Sequence, residues 1–196
     1  MMRFGVARRS FYHNPWCGDE AFTYEDDARI VMAVVDGLGH SQRAAHAAQV
    51  AVTRLGECVA LSLEQMLRSV DELLADTVGA AVTIAVVHKA RACLEACGIG
   101  NVELQLATQA RVFHFVGEPG IAGAGQARFR PASFDYRPGD IVVIYSDGIR
   151  SAFSAQSLIH ILHPDPVRIA RRILVEHARP DDDALVLVGC EREEIA

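Results

Sequence analysis

Two short aliphatic runs constrain this chain more than any other feature. Residues 30–35 (IVMAVV) stop at Asp36-Gly37, and residues 141–145 (IVVIY) stop, one serine later, at Asp147-Gly148. Runs this short, rich in β-branched residues and bounded by turn signals, read as buried strands, and the first is centred on residues 31–35. A two-residue Asp-Gly hairpin should lead into a second strand. After Asp36 the pattern turns helical instead: between residues 41 and 60, Ala44, Ala47, Ala48, Ala51 and Leu55 recur at spacings of three and four, with Ser41 placed to cap. Asp-Gly is also a common turn dipeptide, and aspartates gather at strand ends for that reason alone.

Residues 62–76 form a second amphipathic helical pattern with Ser62 as its N-cap. Short strands then follow one another at residues 81–87, 92–98, 102–107, 111–115, 126–134 and 141–145. Turn signals such as Gly100-Asn101 and Pro138-Gly139-Asp140 separate them, which reads as an antiparallel meander. Helical pattern returns at 156–162 and 166–178, and a strand at 184–190 closes the chain. Strands and helices do not alternate as βαβ units do, so the expected class is α+β: antiparallel sheets with helices packed on their outer faces.

The 196 residues are 51% hydrophobic, with no linker-like stretch, so a single domain spanning 1–196 is expected. Net charge is -6 and the basic residues are dispersed, which speaks against nucleic acid or an anionic membrane and leaves proteins or metal ions as partners. The apolar runs fall well short of the ~20 residues that span a bilayer. The N-terminus lacks a signal-peptide core, and a soluble cytoplasmic protein is expected. Five scattered cysteines suit buried thiols better than disulfides, and Cys93 and Cys97 alternate in phase with a strand rather than with a metal site.

Two further acidic sites sit at strand termini, Gly18-Asp19-Glu20 and Asp181-Asp182-Asp183. If the sheets bring these loops together, several carboxylates share one end of the fold, where like charges raise each other's pKa. Hard divalent cations relieve that repulsion, and carboxylate and backbone oxygens suit Mg²⁺ or Mn²⁺. Gly37, with no side chain to obstruct it, could add its carbonyl. Two ions bridged by one aspartate would activate water and clamp a phosphoryl oxygen.

The segments CGDEAF, VVDGLGHSQRAAHAA, GAAVTIAVV, ACGIGNVELQL, GDIVVIYSDGI and RPDDDALVLVG resemble, in that order, the metal-dependent protein phosphatases of the protein phosphatase 2C superfamily, above all the SpoIIE-like branch and its single-domain RsbX type. The resemblance implies a four-layer α-β-β-α sandwich of two antiparallel sheets flanked by helix pairs. It implies two Mn²⁺ or Mg²⁺ ions, with Asp36 bridging both and Gly37 lending its carbonyl. Asp147 and Asp182 would complete one ion, Asp182 being preferred to Asp181 by register with ALVLVG, and Asp19 would hold water. Expected substrates are phosphorylated STAS-domain scaffold or antagonist proteins of the stressosome. Alternatives are a phosphorylated anti-anti-sigma factor, or a catalytically inactive phosphoprotein-binding relative. Ser41 and Leu185 depart from the family pattern, and Leu185 could alter packing beneath Asp182.

His40 either donates to phosphate or to the leaving serine oxygen, or caps the next helix or faces solvent. Arg8, Arg9 and Arg150 are the candidates for a phosphate-binding arginine. His160 and His163 lie three apart on helical pattern with no third ligand in sequence, which favours a surface pair. Thiol chemistry is not expected, since Thr23 stands where a Cys-x5-Arg signature beginning at Cys17 needs arginine. Leu38 likewise breaks the Asp-x-Asp pattern of aspartyl-phosphate enzymes. Water activated between the cations would attack phosphorus directly, without a covalent phosphoenzyme.

Overall fold

The computed structural model describes residues 1–125, 128–155 and 165–191. Among the described residues, ten strands form two five-stranded antiparallel sheets. One has the order β1 (Met2–Arg9), β10 (Ala184–Glu191), β9 (Ile141–Tyr145), β6 (Glu103–Ala107), β7 (Val112–Val116). The other runs β2 (Asp19–Glu25), β3 (Arg29–Gly37), β4 (Ala80–His88), β5 (Cys93–Ile99), β8 (Ala132–Asp135). Helices α1 (Gln42–Cys58) and α2 (Leu63–Leu74) cover the second sheet, and α3 (Pro166–His177) covers the first.

Alternation along β3 explains why its sequence is aliphatic throughout. Val31, Ala33 and Val35 pack under Ala47, Ala51, Leu55, Met66 and Leu67 of the helices. Ile30, Met32 and Val34 face Leu104, Leu106, Val142, Ile144, Leu185 and Leu187 across the interior. Both faces of the strand are therefore dry. A third cluster seals α3 onto Val143, Tyr145, Val186 and Val188. The layers are those of an α-β-β-α sandwich; the helix read at 156–162, together with His160 and His163, lies outside the described residues.

The sequence reading differs from the structure in four places. Residues 81–145 do not form a meander: Gly100-Asn101 carries the chain from one sheet to the other, and β8 and β9 change sheets again. Strands β1 and β2 were missed because each is an edge strand, part polar and only partly buried, so neither shows an aliphatic run. The strand read at 126–134 reduces, among the described residues, to Ala132–Asp135 after Pro131, which cannot donate to a ladder. Ser41 occupies the N-cap of α1 but makes no side-chain capping bond, whereas Ser62 forms the full capping box with Gln65.

Candidate active site

Strand parity builds an acidic end into the sandwich. Asp36 continues the inward row of Ile30, Met32 and Val34, and its antiparallel partner Asp19 lies on the same face. In the facing sheet, Val142 and Ile144 point inward, and so does Ser146 two residues on. The buried Ser146 hydroxyl donates to Asp19 Oδ2 at 2.6 Å and accepts the Leu185 N–H at 2.9 Å, tying the two sheets together. Leu185 is fully buried in the core between the sheets.

Both Asp-Gly glycines are required by close approach rather than by a left-handed turn. A Cβ on Gly37 would fall on the Ala44 carbonyl oxygen, and one on Gly148 would fall on that of Asp183. Their absence lets α1 crowd against Asp36 and lets the 146–148 turn sit on the 181–183 loop. As a result Asp36, Asp147 and Asp182 line a single cleft of about 620 Å³, together with His40 and Asn101. Asn101 donates through Nδ2 to Asp147 Oδ2 at 2.6 Å.

Burial and mutual repulsion dominate the electrostatics. Burial pushes Asp36 up to about 9, with Asp19, Asp147 and Asp182 adding repulsion and Asp147 close enough to share its proton. Burial also raises Asp19 to about 7 against the opposing hydroxyl of Ser146, and Asp183, Asp147 and Asp182 push the same way as burial. Asp182 is raised by burial and Asp147, and His40 partly offsets this. Among the described residues no lysine or arginine lines the cleft. The donor set is oxygen-rich and short of cationic partners, which fits Mg²⁺ or Mn²⁺. No three His, Cys, Asp or Glu side chains among the described residues close around one point.

The triple aspartate divides its work. Asp183, 3% exposed, accepts the N–H groups of Phe11 (2.7 Å) and Gly18 (2.8 Å) and so fastens both ends of the 11–18 segment to the 181–183 loop. Asp182 is left facing the cleft. His40 does not cap α1: its Nδ1 lies 3.3 Å from Asp183 Oδ2 and 3.6 Å from Asp182 Oδ1, and its ring stacks on Phe11 with centroids 4.5 Å apart. Gly37 is buried, donates its N–H to the Gly18 carbonyl at 2.9 Å and is not among the residues lining the cleft.

None of the three candidate arginines lines the cleft. Arg8 pairs with Glu20 at 2.8 Å, Arg9 donates to the Arg179 carbonyl, and Arg150 is exposed. Burial pushes the Cys17 thiol up to about 12, the opposite of an activated thiolate. None of the five cysteines is joined in a disulfide. The sequence reading assigned no role to Ser146, Asn101 or Asp183. Parity counted two residues beyond Ile144 points Ser146 inward; Asn101 leaves no local signal beyond its turn.

Sheets, outer helices and acidic end together define the class: the fold of the protein phosphatase 2C-type serine/threonine phosphatases. Within that class the chain belongs to the SpoIIE family, since Stage II sporulation protein E (SpoIIE) matches residues 26–190. It is 25% identical, with a TM-score of 0.90 over 96% of this chain and 99% of the other, to a chain from a structure described as "The bacterial stressosome: a modular system that has been adapted to control secondary messenger signaling". The fold is shared with RsbX in complex with magnesium (19% identity, TM-score 0.84, 96% of this chain and 94% of that one). It is also shared with the Mycobacterium tuberculosis serine/threonine phosphatase PstP/Ppp (14% identity, TM-score 0.74, 98% and 99%). No curated protein matches the chain by sequence. Among the described residues no helix is long and apolar enough to cross a membrane.

Proposed function

We propose that this chain is a Mg²⁺- or Mn²⁺-dependent phosphatase that removes phosphate from serine or threonine on STAS-domain proteins of the stressosome, as an RsbX-like negative regulator acting in the cytoplasm as a single domain. The observation that carries this reading is that Asp36, Asp147 and Asp182, from three separate parts of the chain, line one cleft. The likeness to RsbX with magnesium and to the stressosome-described chain supports the choice of ion and partner.

Two cations, when bound, would supply the charge that neutralises the carboxylates, orients phosphoryl oxygens and readies a water for attack on phosphorus. Asp36, crowded by Asp19 and Asp147, would hold the ions, and the Gly37 carbonyl could contribute to them. Asp147, steadied by Asn101, and Asp182 would complete one ion's shell. Asp19, held by the Ser146 hydroxyl, would orient water. His40, turned to Asp183 through Nδ1 and lining the cleft, would return a proton to the serine oxygen as its bond to phosphorus breaks.

The test is hydrolysis of p-nitrophenyl phosphate, followed by release of phosphate from phosphorylated STAS-domain proteins of the same genome, the anti-anti-sigma factor among them. EDTA should silence both and Mn²⁺ restore them. Asp36→Asn and Asp147→Asn should each lose at least ~100-fold in kcat, the scale on which transition-state charge stabilisation is lost when one donor goes. Unchanged turnover in either variant refutes the two-cation assignment.

A further inference from the structure

We infer that the cleft carries, beside its acidic face, an apolar subsite that selects a phosphorylated serine or threonine with an aliphatic side chain next to it; this rests on the phosphatase reading of the acidic face. Leu38, Val116, Pro119 and Ile121 line the same cleft as Asp36, Asp147 and Asp182. Leu38 is 54% exposed and Val116 58%. Single exposed aliphatic side chains are ordinary on a protein surface. Four around one concavity, contiguous with a carboxylate cluster, are a surface with two chemistries.

The apolar wall is fixed in place. Residues 117–122 are stitched across the ends of β4 and β5: Gly100 N–H donates to the Glu118 carbonyl at 2.8 Å, Glu118 N–H to Gly98 at 3.0 Å, and Ala80 and Ala122 exchange both bonds at 3.2 and 2.9 Å. Leu38 is held by its N–H to the Gly79 carbonyl at 3.0 Å. The one acidic side chain in this stretch, Glu118, is not part of the lining and pairs with Arg130 at 3.6 Å. The wall thus presents aliphatic surface with no charge of its own, already ordered before a ligand arrives.

The dimensions choose the occupant. A cleft of about 620 Å³ admits more than a phosphoserine side chain. Consecutive Cα atoms are ~3.8 Å apart, so with phosphate at the carboxylates the adjacent residue reaches the neighbouring wall. An aliphatic neighbour would cover Leu38 and Val116 and lose water. An acidic neighbour would meet an apolar wall and, beside it, the three aspartates of the lining.

The test uses the full chain with Mn²⁺ and two phosphoserine peptides that differ only in the adjacent residue, leucine or aspartate, read as phosphate release. The leucine peptide should have kcat/KM at least ~10-fold higher, carried by KM, the scale on which a hydrophobic pocket discriminates. Val116→Asp should erase that ratio. Its side chain is exposed, so the fold tolerates the change, and Ile121→Ser provides a second variant. Equal turnover of the two peptides, or a ratio unchanged in both variants, overturns the subsite and leaves the phosphatase reading standing. Release from neither peptide overturns the phosphoserine-hydrolase reading of the acidic face, and the subsite with it.

Discussion

Replacing Asp36 by asparagine should destroy activity and, with cations removed by EDTA, stabilise the protein. In the unfolded chain an aspartate titrates near 3.8, whereas burial and the neighbouring carboxylates push Asp36 up to about 9. The folded state therefore holds a proton more tightly than the unfolded one. Its stability is full below about pH 4 and declines as pH rises towards 9; Asp19 adds a decline that ends near 7. Each tenfold change in proton affinity is worth ~1.4 kcal/mol, so a displacement of even a hundredfold costs the metal-free fold ~3 kcal/mol at a pH where the unfolded aspartate is ionised. Asparagine keeps the shape, can donate to Asp147 and carries no charge. In EDTA at pH 8, Asp36→Asn should raise the midpoint of thermal unfolding by about 6–12 °C, taking 2–4 °C per kcal/mol for a domain of this size. The gain should shrink as pH falls towards 4, and Mn²⁺ should reverse the ranking by stabilising only the wild type. A variant that melts at or below wild type in EDTA across that pH range refutes the argument, because the cluster would then carry no electrostatic strain for cations to relieve.

Asn101→Ala should leave the melting temperature within a degree or two and weaken Mn²⁺ binding ~10-fold or more, as loss of an outer partner of a metal-binding carboxylate does, measured by metal titration of activity. Ser146→Ala removes a buried link between the sheets and leaves Asp19 short of a donor, and should cost ~1–3 kcal/mol in chemical denaturation. Gly148→Ala should be worse than a helix or surface substitution, since its methyl has to displace the Asp183 backbone; a Tm equal to wild type would contradict the close approach. Cys17→Ser should keep full activity, because a thiol held near 12 supplies no thiolate at neutral pH, and loss of turnover would reopen thiol chemistry.

The legible part of this fold is the part with a period. Residues 31–35, 81–87, 141–145 and 184–190 announced central strands because both faces are dry, and the alanines of α1 announced a helix pressed to a sheet. The edge strands β1 and β2 stayed hidden for the converse reason: one side faces water, and charged residues interrupt them. The crossing at Gly100-Asn101 could not be told from a hairpin, since a turn dipeptide reports that the chain bends and not which sheet it enters next. Gly100 with φ 91° serves the crossover as well as it would a hairpin.

The candidate site was legible to a similar depth. An aspartate at the end of a both-faces-buried strand has only three places to go: into the core, out to solvent, or into a pocket at the sheet's end. Repetition of that pattern at Asp36 and Asp147, with glycine after each, argued for the pocket before any strand order was known. The second glycine turns out to be the stronger clue, because Gly148 is what lets the Asp147 turn lie on the Asp183 backbone. What stayed hidden was each residue whose role depends on pairing across the sandwich. Ser146 on Asp19, Asn101 on Asp147 and Asp183 on Gly18 span separations of 127, 46 and 165 residues, and no local pattern encodes such partners. The carboxylates are therefore readable as an intention of the sequence, while their alignment belongs to the tertiary fold. For that reason the decisive measurements here are cation-dependent stability and turnover.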